Sequence, residues 1–267
     1  MSGDRLRFDA GAASAYDRFM GRWSRLYVQA LLAAAGVGPG QRVLDVATGT
    51  GEAALLAALS LGPSGKIVGV DISLPMLRAG RARVAAYPIS LVAMDGQALA
   101  LRDGSFDAVI CQLGLMFFPD MGRGLQEFRR VLRLGRRVAL SVWTTPERVP
   151  LIGILAQALS VHVPSQRDDV FRGFSLGDDR ILQDSLTRAG FEDVRVVRET
   201  REAAFESFDD YWRPVEDGGG RIGQIYKGLP DDARRVVIEE VRRRLREFES
   251  NGRLVMQNEA LIASGRA

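Results

Sequence analysis

The sequence predicts an α/β fold, a doubly wound domain on a parallel sheet. Short, continuous apolar runs at 42–47, 66–70, 89–94, 106–112 and 137–143 alternate with helical patterns. Such runs are typical of strands covered on both faces. Carboxylates stand at or just past the ends of several of them, at Asp45, Asp71 and Asp95. Alternating strands and helices imply parallel pairing, and right-handed crossovers put every strand-to-helix loop on one edge, where ligands bind. Candidate site residues therefore follow Val46, Val70, Met94 and Ile110.

The first 40 residues read as helix and then turn: Ser24 to Ala35 is apolar and alanine-rich, and Gly36-Val37-Gly38-Pro39-Gly40 ends it. The strand Arg42 to Ala47 leads into Thr48-Gly49-Thr50-Gly51, then a helix over Glu52 to Leu61. After the turn Gly62-Pro63-Ser64-Gly65 comes a strand ending at Asp71. Ser73 can cap the next helix, with Pro75 in its first turn. Ile89 to Met94 and Phe106 to Gln112 are strands three and four. Leu125 to Leu134 reads as amphipathic helix and Arg137 to Trp143 as strand five. Beyond Thr144, Val149 to His162 and Gly177 to Ala189 look helical, and Phe191 to Phe205 alternates as a strand. Asp231 to Ser250 carries Val237, Val241, Leu245 and Phe248 on one stripe, as a helix. Arg253 to Gly265 reads as the last strand.

The chain has 267 residues, 46% hydrophobic and 26% charged, as in an ordinary globular protein. A single domain is expected. It would have a helical cap at 1–40, a ligand-binding core at 41–145 and inserted segments at 146–190 and 207–252. No apolar run approaches the ~18 residues of a membrane span, and Met1 to Arg5 lacks the pattern of a signal peptide. A cytoplasmic location is the expectation. One cysteine, Cys111, leaves no internal disulfide and no cysteine-based zinc cluster, and no metal is expected. The net charge of +3 rests on arginine, with only Lys66 and Lys227 as lysines. Arg242, Arg243, Arg244 and Arg246 are surrounded by glutamates, so no nucleic-acid partner is expected. Oligomeric state is not legible.

Gly49 and Gly51 let the backbone turn sharply and approach a ligand closely. Gly49-Thr50-Gly51-Glu52-Ala53-Ala54 also fits the G-x-G-x-x-A dinucleotide loop. Asp45 argues against that reading: its carboxylate would repel a pyrophosphate but could engage a cationic amino group. Asp71 is placed to accept both hydroxyls of a ribose. Asp95, just past strand three, can accept from an adenine amino group, with Ile72 and Met76 flanking the ring. The plainer readings are that Asp95 starts a turn and Met76 is core.

Val43-Leu44-Asp45-Val46-Ala47-Thr48-Gly49-Thr50-Gly51, Gly69-Val70-Asp71-Ile72-Ser73, Met94-Asp95-Gly96 and Phe106-Asp107-Ala108-Val109 occur in order and at matching separations. Together they resemble the class I S-adenosylmethionine-dependent methyltransferases, near the ubiquinone/menaquinone-biosynthesis (methyltransferase type 11) group. The resemblance covers residues 12 to 145, and continues weakly through Leu182 to Phe191. It implies a Rossmann-like seven-stranded sheet whose last strand is antiparallel, with helical lid insertions; Phe191–Phe205 and Arg253–Gly265 suit the closing pair. It implies S-adenosyl-L-methionine as cofactor and S-adenosyl-L-homocysteine as product. Asp45, Ala47, Thr48 and Gly49 would take the amino-acid tail, Asp71 the ribose, and Asp95, Gly96 and Gln97 the adenine. Gln112 and Leu113 would pass near the sulfonium. Tyr16 and Arg22 would lie on an N-terminal segment that closes over the cofactor. Two departures stand out: Ala47 replaces the loop's usual first glycine, and Leu134-Gly135-Arg136-Arg137 replaces the usual proline-glycine turn.

The implied reaction is direct displacement of the sulfonium methyl by a small-molecule acceptor, a phenolic or quinonoid compound first and a small amine second. Alignment can supply most of the acceleration, and the sequence carries no G-x-S-x-G elbow and no Cys/His dyad. His162, the sole histidine, is the candidate base; otherwise it is a helix-end or surface residue. Cys111 reads as a small apolar filler. Trp143, Tyr211, Trp212 and Tyr226 either line an acceptor pocket or form ordinary core. The rival readings are a nicotinamide-dependent oxidoreductase and a non-catalytic cofactor-binding relative.

Overall fold

The computed structural model describes residues 10–267. The expected start of the helical cap and the Met1 to Arg5 segment lie outside the described residues. Eight strands form one hydrogen-bonded set: β1 Arg42–Val46, β2 Lys66–Asp71, β3 Ile89–Ala93, β4 Phe106–Gln112, β5 Leu132–Trp143, β6 Glu192–Phe205, β7 Glu249–Ser250 and β8 Arg253–Arg266. Seven follow the order β3-β2-β1-β4-β5-β8-β6, and the two-residue β7 pairs with β8 alone. Pairing is parallel from β3 through β5. It is antiparallel between β5 and β8, from Arg137 opposite Arg266 to Trp143 opposite Ala260. The doubly wound sheet with an antiparallel last strand is thus the observed architecture.

The chain packs as two compact units. The larger comprises Ser24–Thr144, Gly173–Glu199 and Ala260–Ala267. Its core joins Leu31, Leu32 and Ala35 of helix Val28–Ala35 and Ala54, Ala57 and Leu61 of helix Glu52–Leu61 to Val43, Ile67, Ala108, Ile110 and Ala139 of the sheet. The many alanines let these helices lie close to the strands. Gly36, left-handed at φ 64°, closes helix Val28–Ala35.

Several boundaries differ from expectation: β5 begins at Leu132 rather than Arg137 and runs through the expected turn at 134–137, and the first helix of the larger unit begins at Val28 rather than Ser24. The helix expected over 125–134 is Met121–Val131, capped by the Asp120 side chain, which accepts from the Arg123 amide at 2.9 Å. Its apolar periodicity continues into Leu132 and Leu134, but Leu132 pairs with Phe106 as the start of β5, and Leu134 is 91% exposed. The helix expected over 231–250 ends at Leu245; a 3-10 turn follows, and Glu249–Ser250 pair with β8.

The smaller unit contains the described residues through Trp23, with Thr145–Arg172 and Thr200–Glu259. Its longest helices are Pro150–Ser160, Phe208–Glu216, Gly220–Lys227 and Asp231–Leu245. Tyr211 donates to the Leu151 carbonyl at 3.1 Å, and the Asn258 side chain accepts from the Leu151 amide at 2.9 Å. Asp17–Gly21 is a π-helical turn, an element rarely kept without a local reason. Among the described residues no helix is long and apolar enough to cross a membrane.

Candidate cofactor site

The site is built where β1, β2, β3 and β4 end on one edge of the larger unit. Asp45, in β1, is fully buried. Thr48 Oγ1 donates to its Oδ2 at 2.6 Å, while its Oδ1 is buried with no hydrogen bond. Burial pushes the carboxyl up to about 7, and the charge of Asp71 adds to the rise; Thr48 and the Ala54 amide only partly offset it. A buried polar atom without a partner is costly and uncommon. This one can accept from a cation that the protein itself does not provide.

The loop after β1 is latched to the end of β2. Asp71 Oδ2 accepts from the Gly49 amide at 2.8 Å and Oδ1 from the Ser73 amide at 2.7 Å. Burial raises the Asp71 carboxyl, against the pull of the Ser73, Gly49 and Ile72 amides. Three amides against the four lone pairs of a carboxylate leave Asp71 capacity for a further donor.

Close backbone approach shapes the rest. A side chain at Gly96 would meet Phe118 at 2.5 Å and Val46 at 2.8 Å; one at Gly114 would meet the Ala47 Cβ at 2.4 Å. Ala47 and Leu113 adopt left-handed φ of 57° and 50°, strained for residues with a Cβ. Ala47, which stands where the loop usually has its first glycine, is thus held in a conformation that favours glycine. The Leu113 amide donates to the Ser141 carbonyl at 3.0 Å, and the Gln112 side chain donates to the Ser24 carbonyl at 2.5 Å.

Asp95 Oδ1 accepts from both the backbone and side-chain nitrogens of Gln97, at 2.9 and 3.1 Å, and Gln97 Oε1 accepts from the Asp120 amide at 2.7 Å. Met76 is buried with its terminal methyl close to Gly49, whereas Ile72 is 48% exposed. Hydrogen bonds therefore join Asp45 to Thr48 and Gly49 to Asp71, with Ala47 in the same loop, Met76 beside Gly49, and Asp95–Gln97, Ile72, Gln112 and Leu113 at the neighbouring strand ends.

Of the other candidates, Tyr16, Arg22 and His162 belong to the smaller unit, and Cys111 and Trp143 to the larger. Arg22 is engaged by both oxygens of Asp210, at 3.1 and 3.0 Å, and by the Ala204 carbonyl at 3.3 Å; it also lies 4.5 Å over the Trp23 ring. Tyr16 ends helix Ala10–Tyr16 near Gly220. His162 sits in the turn after helix Pro150–Ser160, its amide bonded to the Leu159 carbonyl at 2.9 Å. Cys111 is fully buried, and burial pushes its thiol up, so it is no nucleophile. Trp143 is core, edge-on to Tyr27 at 5.4 Å.

Sequence reading missed Arg83, which donates to Thr50 Oγ1 at 2.7 Å and to the Thr50 carbonyl at 3.2 Å. It also missed Gly80, where a Cβ would fall 2.3 Å from that carbonyl. The only local signal was a small residue four positions after Met76, one helical turn on.

The sequence profile of the ubiE/COQ5 methyltransferase family matches residues 20–164. The chain belongs to this family. This methyltransferase is 30% identical over 177 residues to the demethylmenaquinone methyltransferase of Bacteroides fragilis, covering 60% of this chain and 71% of that one. It is 39% identical over 204 residues to an uncharacterized protein of Mycobacterium tuberculosis, covering 72% of each. Its fold matches the phosphoethanolamine N-methyltransferase 2 of Haemonchus contortus, solved with S-adenosyl-L-methionine. There the TM-score is 0.62 at 19% identity, over 98% of this chain and 58% of that one. The protein is an S-adenosylmethionine-dependent methyltransferase. Its residues fit that cofactor: the unpaired Asp45 Oδ1 suits an α-ammonium, and Asp71 retains acceptor capacity for a ribose.

Proposed function

We propose that this methyltransferase transfers a methyl group to a phenolic or quinonoid small molecule by direct displacement. The observation that carries the cofactor half of this reading is the buried, unpaired Asp45 Oδ1. S-adenosylmethionine, when bound, supplies a methyl group already activated by the adjacent sulfonium charge. Asp45, Ala47, Thr48 and Gly49 hold its amino-acid tail and Asp71 its ribose. Asp95, Gly96 and Gln97 take the adenine, flanked by Ile72 and Met76, and Gln112 and Leu113 border the reacting end. With Arg22 engaged by Asp210, its part is to fix the N-terminal segment that carries Tyr16.

The residues align the reactants and exclude water; good alignment corresponds to effective molarities on the order of 10⁵–10⁸ M. Acceptor choice is assigned to the segments 146–190 and 207–252. The name of the Bacteroides fragilis relative, a demethylmenaquinone methyltransferase, supports an oxygenated ring as acceptor, as do the aromatic side chains of residues 205–226. His162 is the one histidine available to take a proton. His162→Ala, read as kcat at unchanged cofactor affinity, tests that role.

The function is tested by methyl transfer from labelled S-adenosylmethionine to 1,4-dihydroxynaphthalene, catechol and ethanolamine. Transfer to the dihydroxy rings is expected. Transfer to ethanolamine alone would refute the acceptor class.

A further inference from the structure

Within the larger unit, helix Leu74–Val84 packs directly on the glycine loop. Arg83 stands in its last turn and is half-buried. One nitrogen, Nη1, donates to Thr50 Oγ1 at 2.7 Å and to the Thr50 carbonyl at 3.2 Å. The same nitrogen lies 3.6 Å from a carboxylate oxygen of Glu52, the first residue of helix Glu52–Leu61. Gly80, three residues before Arg83, lies on the same stretch of helix surface. It makes room for the loop, since a Cβ there would fall 2.3 Å from the Thr50 oxygen. Gly51 does likewise from the loop side, where a Cβ would fall 2.9 Å from Val84. Thr50 itself is buried.

The loop is thus gripped at two neighbouring residues. Asp71 accepts from the Gly49 amide, and Arg83 donates to both oxygens of Thr50. A charged donor makes the stronger kind of hydrogen bond, and two acceptors on one residue fix its orientation. Arg83 lies outside the residues assigned to the cofactor and touches their loop through Thr50.

We propose that Arg83 is a positioning residue for the amino-acid tail of S-adenosylmethionine. Acting through Thr50, it holds residues 47–49 in the shape that receives the tail. This rests on the reading above that Asp45 and residues 47–49 take that tail. Groups that contact a ligand keep their geometry only when a second layer of residues supports them.

The test uses the full chain, titrated calorimetrically with S-adenosylhomocysteine and separately with adenosine, which lacks the tail. Arg83→Met should weaken S-adenosylhomocysteine about ten-fold and Thr50→Val about three-fold, as expected for lost bonds to a charged donor. Adenosine should bind nearly as before. Arg83→Lys should regain part of the affinity, because both bonds come from one nitrogen and an ammonium can supply them. In the Thr50→Val background, Arg83→Met should cost less than it does alone. If Arg83→Met fails to fold, the nearly isosteric Thr50→Val decides. Unchanged S-adenosylhomocysteine affinity, additive losses, equal weakening of both ligands, or Arg83→Lys no tighter than Arg83→Met overturns the positioning role and leaves the tail reading standing. Wild-type protein that binds adenosine as tightly as S-adenosylhomocysteine overturns the tail reading, and the role of Arg83 with it.

Discussion

Thr48 Oγ1 donates to Asp45 Oδ2 at 2.6 Å and leaves Asp45 Oδ1 sealed inside the protein without a partner. One carboxylate is thus oriented by its own loop and still has an unused acceptor. Replacing it should separate the two halves of the cofactor. Asp45→Ala is expected to weaken S-adenosylmethionine at least ten-fold, about 1.4 kcal/mol. Adenosine, which has no ammonium, should bind nearly as before. Parallel calorimetric titrations check this, and equal losses for both ligands would refute the assignment.

The same residue sets a pH dependence. Folding raises the Asp45 carboxyl from its ordinary 3.8 to about 7, and Asp71 moves in the same direction. The folded state therefore keeps a proton that the unfolded chain has released, so stability falls as pH rises from about 4 through 7. For Asp45 the loss approaches about 4 kcal/mol above that window. Asp45→Asn should raise the Tm of the cofactor-free protein at pH 8 and change it little at pH 4. An ammonium bound at Oδ1 favours the charged carboxylate, so S-adenosylmethionine binding near pH 6.5 should release a proton. Calorimetry in buffers of different ionisation enthalpy measures that release, and Asp45→Asn should abolish it.

Asp71→Asn should loosen the loop itself. An amide nitrogen cannot accept from Gly49 or Ser73, so one of the two latches is lost. A cost of about 1–3 kcal/mol is expected, read as a lower Tm in the cofactor-free protein, together with weaker adenosine binding. Loss of adenosine affinity separates this variant from Asp45→Ala.

Gly114 and Ala47 should behave as a coupled pair. A Cβ at 114 would lie 2.4 Å from that of Ala47 and 3.1 Å from Cys111 Sγ, so Gly114→Ala should destabilise by about 1–3 kcal/mol. Ala47→Gly removes the obstructing carbon and suits the positive φ of 57°, so alone it should be close to neutral. Added to Gly114→Ala, it should recover most of the loss. Additive effects in a double-mutant cycle would contradict the contact.

Cys111 is inert in the folded state because burial suppresses its thiolate. Alkylation by iodoacetamide should be slow in native protein and fast in denaturant, and Cys111→Ala should retain turnover. Rapid native labelling would refute its role as a filler.

The sequence by itself determined the layered α/β order, the glycine loop and the three carboxylates at strand ends. These are local features: apolar runs bounded by turns reveal covered strands, and the acids stand at their termini. Strands 42–46 and 106–112 and helix 52–61 could be read for that reason. Tertiary structure decided what depends on distant partners. Pairing with Phe106 took Leu132 out of a helix whose periodicity ran on, and pairing with β8 took Glu249 and Ser250 from another. The left-handed backbone at Ala47 and Leu113, the latch from Asp71 to Gly49 across 22 residues and the burial that leaves one Asp45 oxygen unpaired belong to the packed chain. No local pattern encodes them, because strain and desolvation exist only once the chain is packed.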